Sequence, residues 1–376
     1  MSQFPLSSLP PDSPALRARV REFVAANLPA GWRRNSDFMS GYNADFSAKL
    51  GAQGWIGMTW PRQYGGGEHS YLERYVVTEE LLAAGAPISA HWFADRQTGP
   101  LLLGFGSERQ RERFLPSICR GECFFSIGMS EPDSGSDLAS IRTSARAVDG
   151  GWLVNGSKLW TSFAHLNHHM VTLVRTAPPS DKRHEGMSQL IIDLKGDGVQ
   201  VNPIRNMAGR AEFNEVVFTD AFVPHENLVG TEGEGWQQVT SELAHERSGP
   251  ERFLSTFRVY VELIRLLGRE PAHHQAAAVG RITAQLMTLR RLSISVAGML
   301  ESGQTPNLEA ALVKELGNNF EKALLEITRQ AVPEQVDRDA YEAAFNESLL
   351  LSPSITLRGG TREILRGVIA RGLGLR

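Results

Sequence analysis

Two polar turns carry the side chains with the clearest chemical potential in this sequence. They are MSEPDSGSD (Met129 to Asp137) and GSKLWTS (Gly156 to Ser162). At Ser134-Gly135-Ser136 the glycine lacks a Cβ and the serines offer hydroxyl groups, so a flat or phosphorylated ligand can approach the backbone closely. Trp160 adds a wide aromatic face. Turns of this composition are also common in ordinary loops, and these residues alone leave both interpretations open.

A carboxylate continues the apolar face of a helix predicted soon after the β-rich part of the chain. Trp236, Val239 and Leu243 fall on one side of this helix, and Glu246 falls on the same side. Such a carboxylate is either paired with a cation, here Arg247, or partly desolvated with a raised pKa that suits a general base. The residues alone favour an ion pair at the helix end.

Motifs of several other catalytic systems do not occur in the sequence. It contains no G-x-S-x-G elbow, Walker A sequence, H-E-x-x-H pair or G-x-G-x-x-G after a strand, which argues against the commonest hydrolase, NTPase, zincin and nicotinamide-binding classes. The HLNHH run has no nearby carboxylate set, and CRGEC, with Cys119 and Cys123, lacks the second half of a zinc site. We therefore expect no metal centre and two structural cysteines.

Composition indicates a globular chain without a polyanionic partner. With 376 residues the chain is long enough for two or three domains. A net charge of -3 and a charged fraction of 22% leave no basic excess for nucleic acid. No run of about 18 apolar residues and no signal-peptide pattern occurs, so we predict an intracellular, cytoplasmic protein without a membrane span.

Hydrophobic periodicity divides the chain into a helical, a β-rich and a second helical region. The first has helical spacing and includes Ser107 as the predicted N-cap of a helix. The second has short runs rich in Val, Ile, Thr and aromatic residues, with a hairpin turn at Asp149-Gly150-Gly151, and predicts a small barrel or sandwich. The third predicts long antiparallel helices in a bundle.

One bundle helix carries a specific prediction of its cap and of its buried face. Asn307 is the expected N-cap residue. The apolar stripe, at three- and four-residue spacing, consists of Leu312, Leu316, Phe320, Leu324 and Ile327.

Six motifs in this order resemble the acyl-CoA dehydrogenases, a flavin-dependent superfamily, and specifically its bacterial branch ending in GGTREILR. They are WPRQYGG, MSEPDSGSD, GSKLWTS, VVFTDAFVPHENLVG, the helix with HER, and GGTREILRGVIARGLGL. The resemblance implies an α+β fold, mainly α: an N-terminal helical domain (1–120), a central β-barrel domain (121–228) and a C-terminal four-helix bundle (229–376). It also implies FAD between the β-domain and the bundle.

The reaction implied by the resemblance is α,β-dehydrogenation of an acyl-CoA thioester to the 2-enoyl-CoA. In this family a carboxylate takes the α-proton while the β-hydrogen leaves as hydride to the flavin. The electrons then pass to an external acceptor such as an electron-transfer flavoprotein. The protein therefore supplies orientation, a base and exclusion of water.

The resemblance also implies which residues form the site. Matches to family positions along or near the cofactor are Met129, Ser130, Gly135, Ser136, Trp160, Thr161, Ser162, Thr361 and Glu363. Ser136 also matches the place where the CoA thioester chain passes. Arg247 matches an arginine that lines the acyl-CoA pocket.

The position of the catalytic base departs from the commoner family pattern. Many members carry the glutamate directly before the Gly-Thr of the final motif, where this chain has Gly359. A minority carry it on the helix near the start of the bundle, immediately before an arginine, and this chain has Glu246-Arg247 there. The resemblance therefore reverses the preference for a simple ion pair and identifies Glu246 as the base.

A second departure concerns the neighbouring subunit. The family's E-R-x-Q-F-G segment, which reaches the FAD of a neighbour, is not visible in 251–268, and Arg258, Arg265 or Arg269 would have to serve part of that role. We expect a homodimer or homotetramer, with a hetero-oligomer as the other possibility. The alternative function is a noncatalytic or half-site subunit of a mixed acyl-CoA dehydrogenase oligomer.

Overall fold

The computed structural model describes residues 4–32, 35, 37–39, 41–178, 181–333 and 338–375, without the side chains of 242–246. The chain forms two compact units. The first, here called the helical unit, contains Met1–Gly41, His69–Ile88 and Ala244–Arg376. The second, here called the sheet unit, contains Tyr42–Glu68 and Ser89–Leu243. The three domain boundaries expected from the sequence stay a prediction.

Helices precede the strands, as the periodicity predicts. They are α1 (Ser13–Asn27), α2 (Ala44–Ala52), α3 (Tyr71–Ala83), α4 (Ser89–Phe93), α5 (Gly99–Phe105) and α6 (Glu108–Cys119). The predicted cap of α6 is confirmed. Ser107 Oγ accepts from the Gln110 amide at 3.2 Å, and the Gln110 side chain accepts from the Ser107 amide at 3.0 Å. This reciprocal capping box satisfies two amide groups that the first turn leaves without helical partners.

One mixed sheet dominates the sheet unit. In the described residues its strands are β1 (Phe125–Gly128), β2 (Ser144–Val148), β3 (Gly151–Ser162), β4 (His169–Arg175), β5 (Met187–Asp193), β6 (Val199–Ile204), β7 (Phe213–Pro224) and β8 (Leu228–Val229). Their order is β6-β7-β3-β2-β4-β5-β8, with β1 parallel to β4. The predicted hairpin is confirmed: β2 and β3 join through Asp149 and Gly150, whose φ of 78° suits a tight two-residue turn.

An extra residue interrupts the pairing of β3 with β7. Lys158 pairs with Val216 and Thr161 with Asn214, so three steps along β3 match two along β7. This is a β-bulge. Within it, Trp160 has a left-handed φ of 63° and its side chain points outward with 56% exposure. The bulge explains why two residues three positions apart, Lys158 and Thr161, are both buried.

The sheet packs its apolar side chains into one main cluster. Trp152 and Val154 of β3 meet residues of β4, β5 and β7 there. A second cluster joins the 138–141 segment to the start of α7 (Gly235–Glu246), the helix predicted from the apolar face of Trp236 and Val239. Met129 packs against this second cluster. The second cluster therefore supports the first polar turn through Met129.

Long helices form most of the helical unit. After α7 they are α8 (Phe257–Leu267), α9 (His273–Glu301), α10 (Asn307–Ala331), α11 (Asp339–Ile355) and α12 (Arg362–Gly372). Helix α10 contacts α8, α9, α11 and α12. Because it lies among all of them, α10 is buried on more than one side.

Two predictions for α10 are wrong. Asn307 is the first helical residue and Pro306 precedes it at the cap position, which has no side-chain cap bond. The proline fixes the entry of the chain and cannot accept an amide proton through a side chain. Leu316, expected on the buried stripe, is 46% exposed, whereas Lys314 is fully buried. Phe320, Leu324 and Ile327 of the same stripe are buried as predicted. Lys314 is buried as well because its partners, the carbonyls of Arg358 and Gly360, lie inside.

In the part of the chain that the structure describes, no helix has both the length and the apolar character needed to cross a bilayer.

Candidate functional site

The two polar turns lie side by side in the sheet unit. The Leu159 amide donates to the Ser130 carbonyl at 2.8 Å, and Lys158 Nζ donates to the Met129 carbonyl at 3.1 Å. Strand β3 thus holds the segment that follows β1. Met129 and Ser130 are brought next to the strand that carries Trp160.

A buried ion pair between Lys158 and Glu131 joins the turns. Lys158 Nζ lies 2.8 Å from Glu131 Oε1, and the exposure of the two side chains is 0% and 8%. Burial lowers the pKa of Lys158 to about 8, although Glu131 opposes this shift. Burial would raise the pKa of Glu131, but Lys158 and the amides of Arg142 and Thr143 hold it below its ordinary value. The sequence signal for this pair is weak, because the first turn offers three carboxylates, Glu131, Asp133 and Asp137, to the single lysine of the second.

The Ser134–Asp137 part of the first turn is open on one side and fixed on the other. Gly135 and Ser136 are exposed, and a Cβ added to Gly135 would meet no atom within 4 Å. Ser134 is buried, and its hydroxyl donates to the Asp137 carbonyl at 2.7 Å. The backbone at Gly135 is therefore accessible while the turn keeps its shape.

The second turn presents an aromatic wall and a hydroxyl without a partner. The Trp160 ring packs edge-on against Phe213, with centroids 6.1 Å apart. Next to it, Thr161 is fully buried and its Oγ1 has no hydrogen-bond partner among the described residues. The Ser162 carbonyl accepts from Ser126 Oγ at 2.8 Å. A buried hydroxyl without a partner is costly and marks a place where a ligand atom would be favourable.

These features fit a flavin. An exposed indole offers a face for a planar ring, the unpaired Thr161 hydroxyl offers one hydrogen bond, and Gly135 leaves space for close approach.

In the helical unit, Arg247 lies against the terminal motif. Arg247 is 5% exposed, and its Nε donates to the Gly359 carbonyl at 3.2 Å. Glu246 is the last residue of α7, and its side chain lies outside the described part of the chain. Arg247 therefore links Gly359, where many family members carry the base, to Glu246, the residue that precedes Arg247 in sequence.

Thr361 and Glu363 lie at the start of α12. The Thr361 hydroxyl accepts from the Ile364 amide at 3.5 Å and caps the helix. Glu363 is exposed, and its own amide together with Thr361 lowers the pKa of its carboxyl. The cap fixes the point at which the chain leaves the terminal glycines.

The other groups considered in the sequence have structural surroundings. His168 stacks on Phe124 at 5.4 Å, and burial lowers its pKa. Burial raises the pKa of Cys119 to about 12 and that of Cys123 to about 11, and both thiols are free. No cluster of metal-ligating side chains occurs among the described residues.

Two arginines weighed for a neighbour's FAD have partners on their own helix. Arg258 and Arg265 both pair with Glu262 of α8, Arg265 at 2.9 Å. Glu262 is 4% exposed, so the two arginines neutralise a buried carboxylate of their own helix. Their proposed role toward another subunit stays a prediction.

Comparison with known proteins agrees with this architecture. The family profile "Acyl-CoA dehydrogenase, N-terminal domain" matches residues 10–122, and "Acyl-CoA dehydrogenase, middle domain" matches 126–221. The chain is 33% identical to "Acyl-CoA dehydrogenase IpdE1" of Mycobacterium tuberculosis, covering 97% of this chain and 98% of the relative. It is 31% identical to "Acyl-CoA dehydrogenase FadE26" of the same organism, at 97% and 98% coverage.

Solved structures give the same result. The structure described as "Tcur3481-Tcur3483 steroid ACAD" superposes with a TM-score of 0.86 at 26% identity, covering 99% of both chains. The "ChsE4-ChsE5 complex from Mycobacterium tuberculosis" gives 0.83 at 28% identity, over 98% and 99%. The chain belongs to the acyl-CoA dehydrogenase family. It is an enzyme of that family, a family of flavoproteins, and the predicted fold class is confirmed.

Proposed function

We propose that this chain catalyses the FAD-dependent α,β-dehydrogenation of an acyl-CoA thioester, with Glu246 as the base and electrons passing to an external acceptor such as an electron-transfer flavoprotein. The observation that carries the proposal is the 3.2 Å hydrogen bond from Arg247 to the Gly359 carbonyl. It places the residue after Glu246 against the position where the base lies in many relatives. A base at 246 and a base at 359 would therefore serve the same small region.

Glu246 takes the α-proton of the bound thioester, and Arg247 orients the acyl group beside it. When bound, FAD would supply the acceptor for the β-hydrogen, which leaves as hydride. Proton transfer to a positioned carboxylate typically contributes a factor of about 100 to 10,000 in rate. Gly359 has no side chain at the position where other members carry the glutamate.

The sheet unit supplies the residues proposed to hold the cofactor. Met129, Ser130, Gly135 and Ser136 line the first turn, and Ser136 also meets the CoA chain. On the second turn Trp160 would cover a ring face, and Thr161 and Ser162 would border it. The unpartnered Thr161 hydroxyl and the 56% exposed indole support this assignment. For Thr361 and Glu363, at the start of α12, a role in cofactor binding stays a prediction.

Anaerobic titration tests the reaction. Purified protein is mixed with acyl-CoAs that range from short linear to ring-bearing acids, because one structural neighbour is described as a steroid ACAD. We expect bleaching of the flavin absorbance with at least one of them. A yellow protein that no thioester bleaches would contradict the proposal.

The Glu246→Gln variant tests the base. We expect at least a hundredfold loss of kcat with flavin content retained. Glu326→Gln is the matched control because Glu326 is exposed on α10 and its partners among the described residues, Arg329 and Gln330, belong to the same helix. Full turnover by Glu246→Gln would remove this residue from the mechanism.

We further propose that the chain works in an oligomer, with a mixed assembly favoured over a homo-oligomer. Two structural neighbours are described by paired subunit names, and this sequence lacks the segment that reaches a neighbour's FAD. Expression alone and beside a homologous partner chain distinguishes the cases. Flavin retained by the chain alone in a homodimer or homotetramer would contradict the mixed assembly, and a colourless chain in every combination would support a noncatalytic role.

A further inference from the structure

Three successive carbonyl groups, those of Arg358 and of the two glycines that open the terminal motif, are each held by a buried cation. Lys314 Nζ donates to the carbonyls of Arg358 at 2.5 Å and Gly360 at 2.7 Å, while Arg247 Nε donates to that of Gly359 at 3.2 Å. The exposure of Lys314 is 0% and that of Arg247 is 5%. We call residues 358–360 the terminal turn.

The backbone of the terminal turn needs this support. Gly359 and Gly360 have φ values of 66° and 96°, a left-handed region that glycine enters freely but does not prefer over others. Two adjacent glycines lose more conformational freedom on ordering than any other pair of residues. Bonds at every carbonyl restrict a segment that its own sequence leaves flexible.

The side chain of Arg358 fastens the same turn from another direction. Its guanidinium lies 2.8 Å from Asp37 Oδ1 and donates to Ser255 Oγ at 2.7 Å. The Ser255 amide in turn donates to Glu321 of α10 at 2.6 Å. Main-chain and side-chain contacts thus tie the turn to α10 and to the segment before α8.

Lys314 is a costly way to fill this space. A buried ammonium is unfavourable unless its protons are hydrogen-bonded, and an apolar side chain of the same length would pack without that cost. Because Lys314 Nζ donates to two carbonyls that are separated by one residue, it links the first and last residues of the terminal turn. The carbonyl between them is the one that holds Arg247.

We propose that Lys314 is a positioning residue for the acyl-CoA site, because it fixes the terminal turn whose central carbonyl holds Arg247. This inference rests on the function proposed above for Arg247 and Glu246. Displacing a positioning group by about 1 Å can cost a factor of about 100 in rate. Loosening the turn should release the Arg247 guanidinium and weaken substrate binding.

Chemical labelling of arginine tests the contact without any turnover. Wild-type protein and Lys314→Met are treated with phenylglyoxal, and modification of Arg247 is followed by peptide mass spectrometry. We expect Arg247 to react at least tenfold faster in the variant. Lys322→Met, on the exposed side of α10, is the matched control and should react like wild type.

A second variant covers the case in which Lys314→Met does not fold. Arg358→Gln removes the contacts to Asp37 and Ser255 and loosens the same turn from its other side. It should also accelerate labelling of Arg247. Unchanged labelling in the folded variants would overturn the proposal.

A kinetic double-mutant cycle separates positioning from a purely structural role. We expect Lys314→Met and Arg247→Met each to raise KM for the acyl-CoA at least tenfold, with a smaller change in kcat. If Lys314 acts through Arg247, the double variant loses no more than the worse single one. Full additivity would refute the positioning role. Absence of turnover in the wild type would instead refute the proposed function, while labelling still decides whether Lys314 holds Arg247.

Discussion

Replacing Glu321 by glutamine should stabilise the protein at pH 8 much more than at pH 5. Glu321 is fully buried on α10, and one of its carboxyl oxygens has no partner among the described residues. Burial raises its pKa to about 7, Arg358 and Ser255 oppose the shift, and Asp37 adds to it. Glutamine keeps an oxygen for the Ser255 amide and carries no charge at any pH.

The sign follows from proton uptake by the two states. The folded protein takes up this proton as pH falls through about 7, against an ordinary value of 4.5 in the unfolded chain. Between these values the folded state binds more protons, so this carboxyl costs stability increasingly as pH rises. At 1.36 kcal/mol per pKa unit, the gain from Glu321→Gln should grow by roughly 2 kcal/mol from pH 5 to pH 8.

Urea unfolding at pH 5, 6, 7 and 8 measures this difference between variant and wild type. The control Glu326→Gln removes an exposed carboxyl whose pKa is lowered by Arg329 and Gln330, so it should give no gain as pH rises. A stability difference for Glu321→Gln that stays constant from pH 5 to pH 8 would refute the reasoning. It would mean that Glu321 is already ionised in the folded state at pH 5.

Two further predictions concern the polar turns. Lys158→Met should lower the free energy of unfolding, measured in urea, by about 3 kcal/mol or more, because it leaves the buried Glu131 carboxylate without its cation. Adding Glu131→Gln to this variant should restore part of the loss. A loss below about 1 kcal/mol for Lys158→Met would contradict the importance of the ion pair. Thr161→Val should change the free energy of unfolding by less than about 1 kcal/mol, since its hydroxyl has no partner to lose, yet it should reduce the flavin retained after gel filtration. Equal retention would remove Thr161 from the cofactor site.

Local rules predicted the features that depend on neighbouring residues. The Ser107 cap and the hairpin through Asp149 and Gly150 are each specified within a few positions of the chain, and both are confirmed. The long bundle helices follow from periodic apolar residues in the same way. The hairpin connects β2 to β3, the strand that carries the second polar turn.

Features that depend on distant partners were not predictable. Lys314 and Lys158 occupy positions where a lysine ordinarily faces solvent, and both are fully buried because their partners come from other parts of the chain. Leu316 is exposed on the same helix, α10, whose polar residues Lys314 and Glu321 are fully buried. Hydrophobic periodicity depends only on the type of each residue. It does not show which distant group will form a hydrogen bond or an ion pair with a buried side chain.

The bulge in β3 also affects how the strand responds to changes in length. Deleting Leu159 would leave Lys158 opposite Val216 and Thr161 opposite Asn214 in an unbroken ladder. Trp160 would then have an extended backbone conformation in place of its left-handed one. This change would relieve about 1 kcal/mol or more of backbone strain. A one-residue deletion here would therefore redirect a single ring and preserve the register on both sides. The number of residues in β3 therefore determines the direction of the Trp160 side chain.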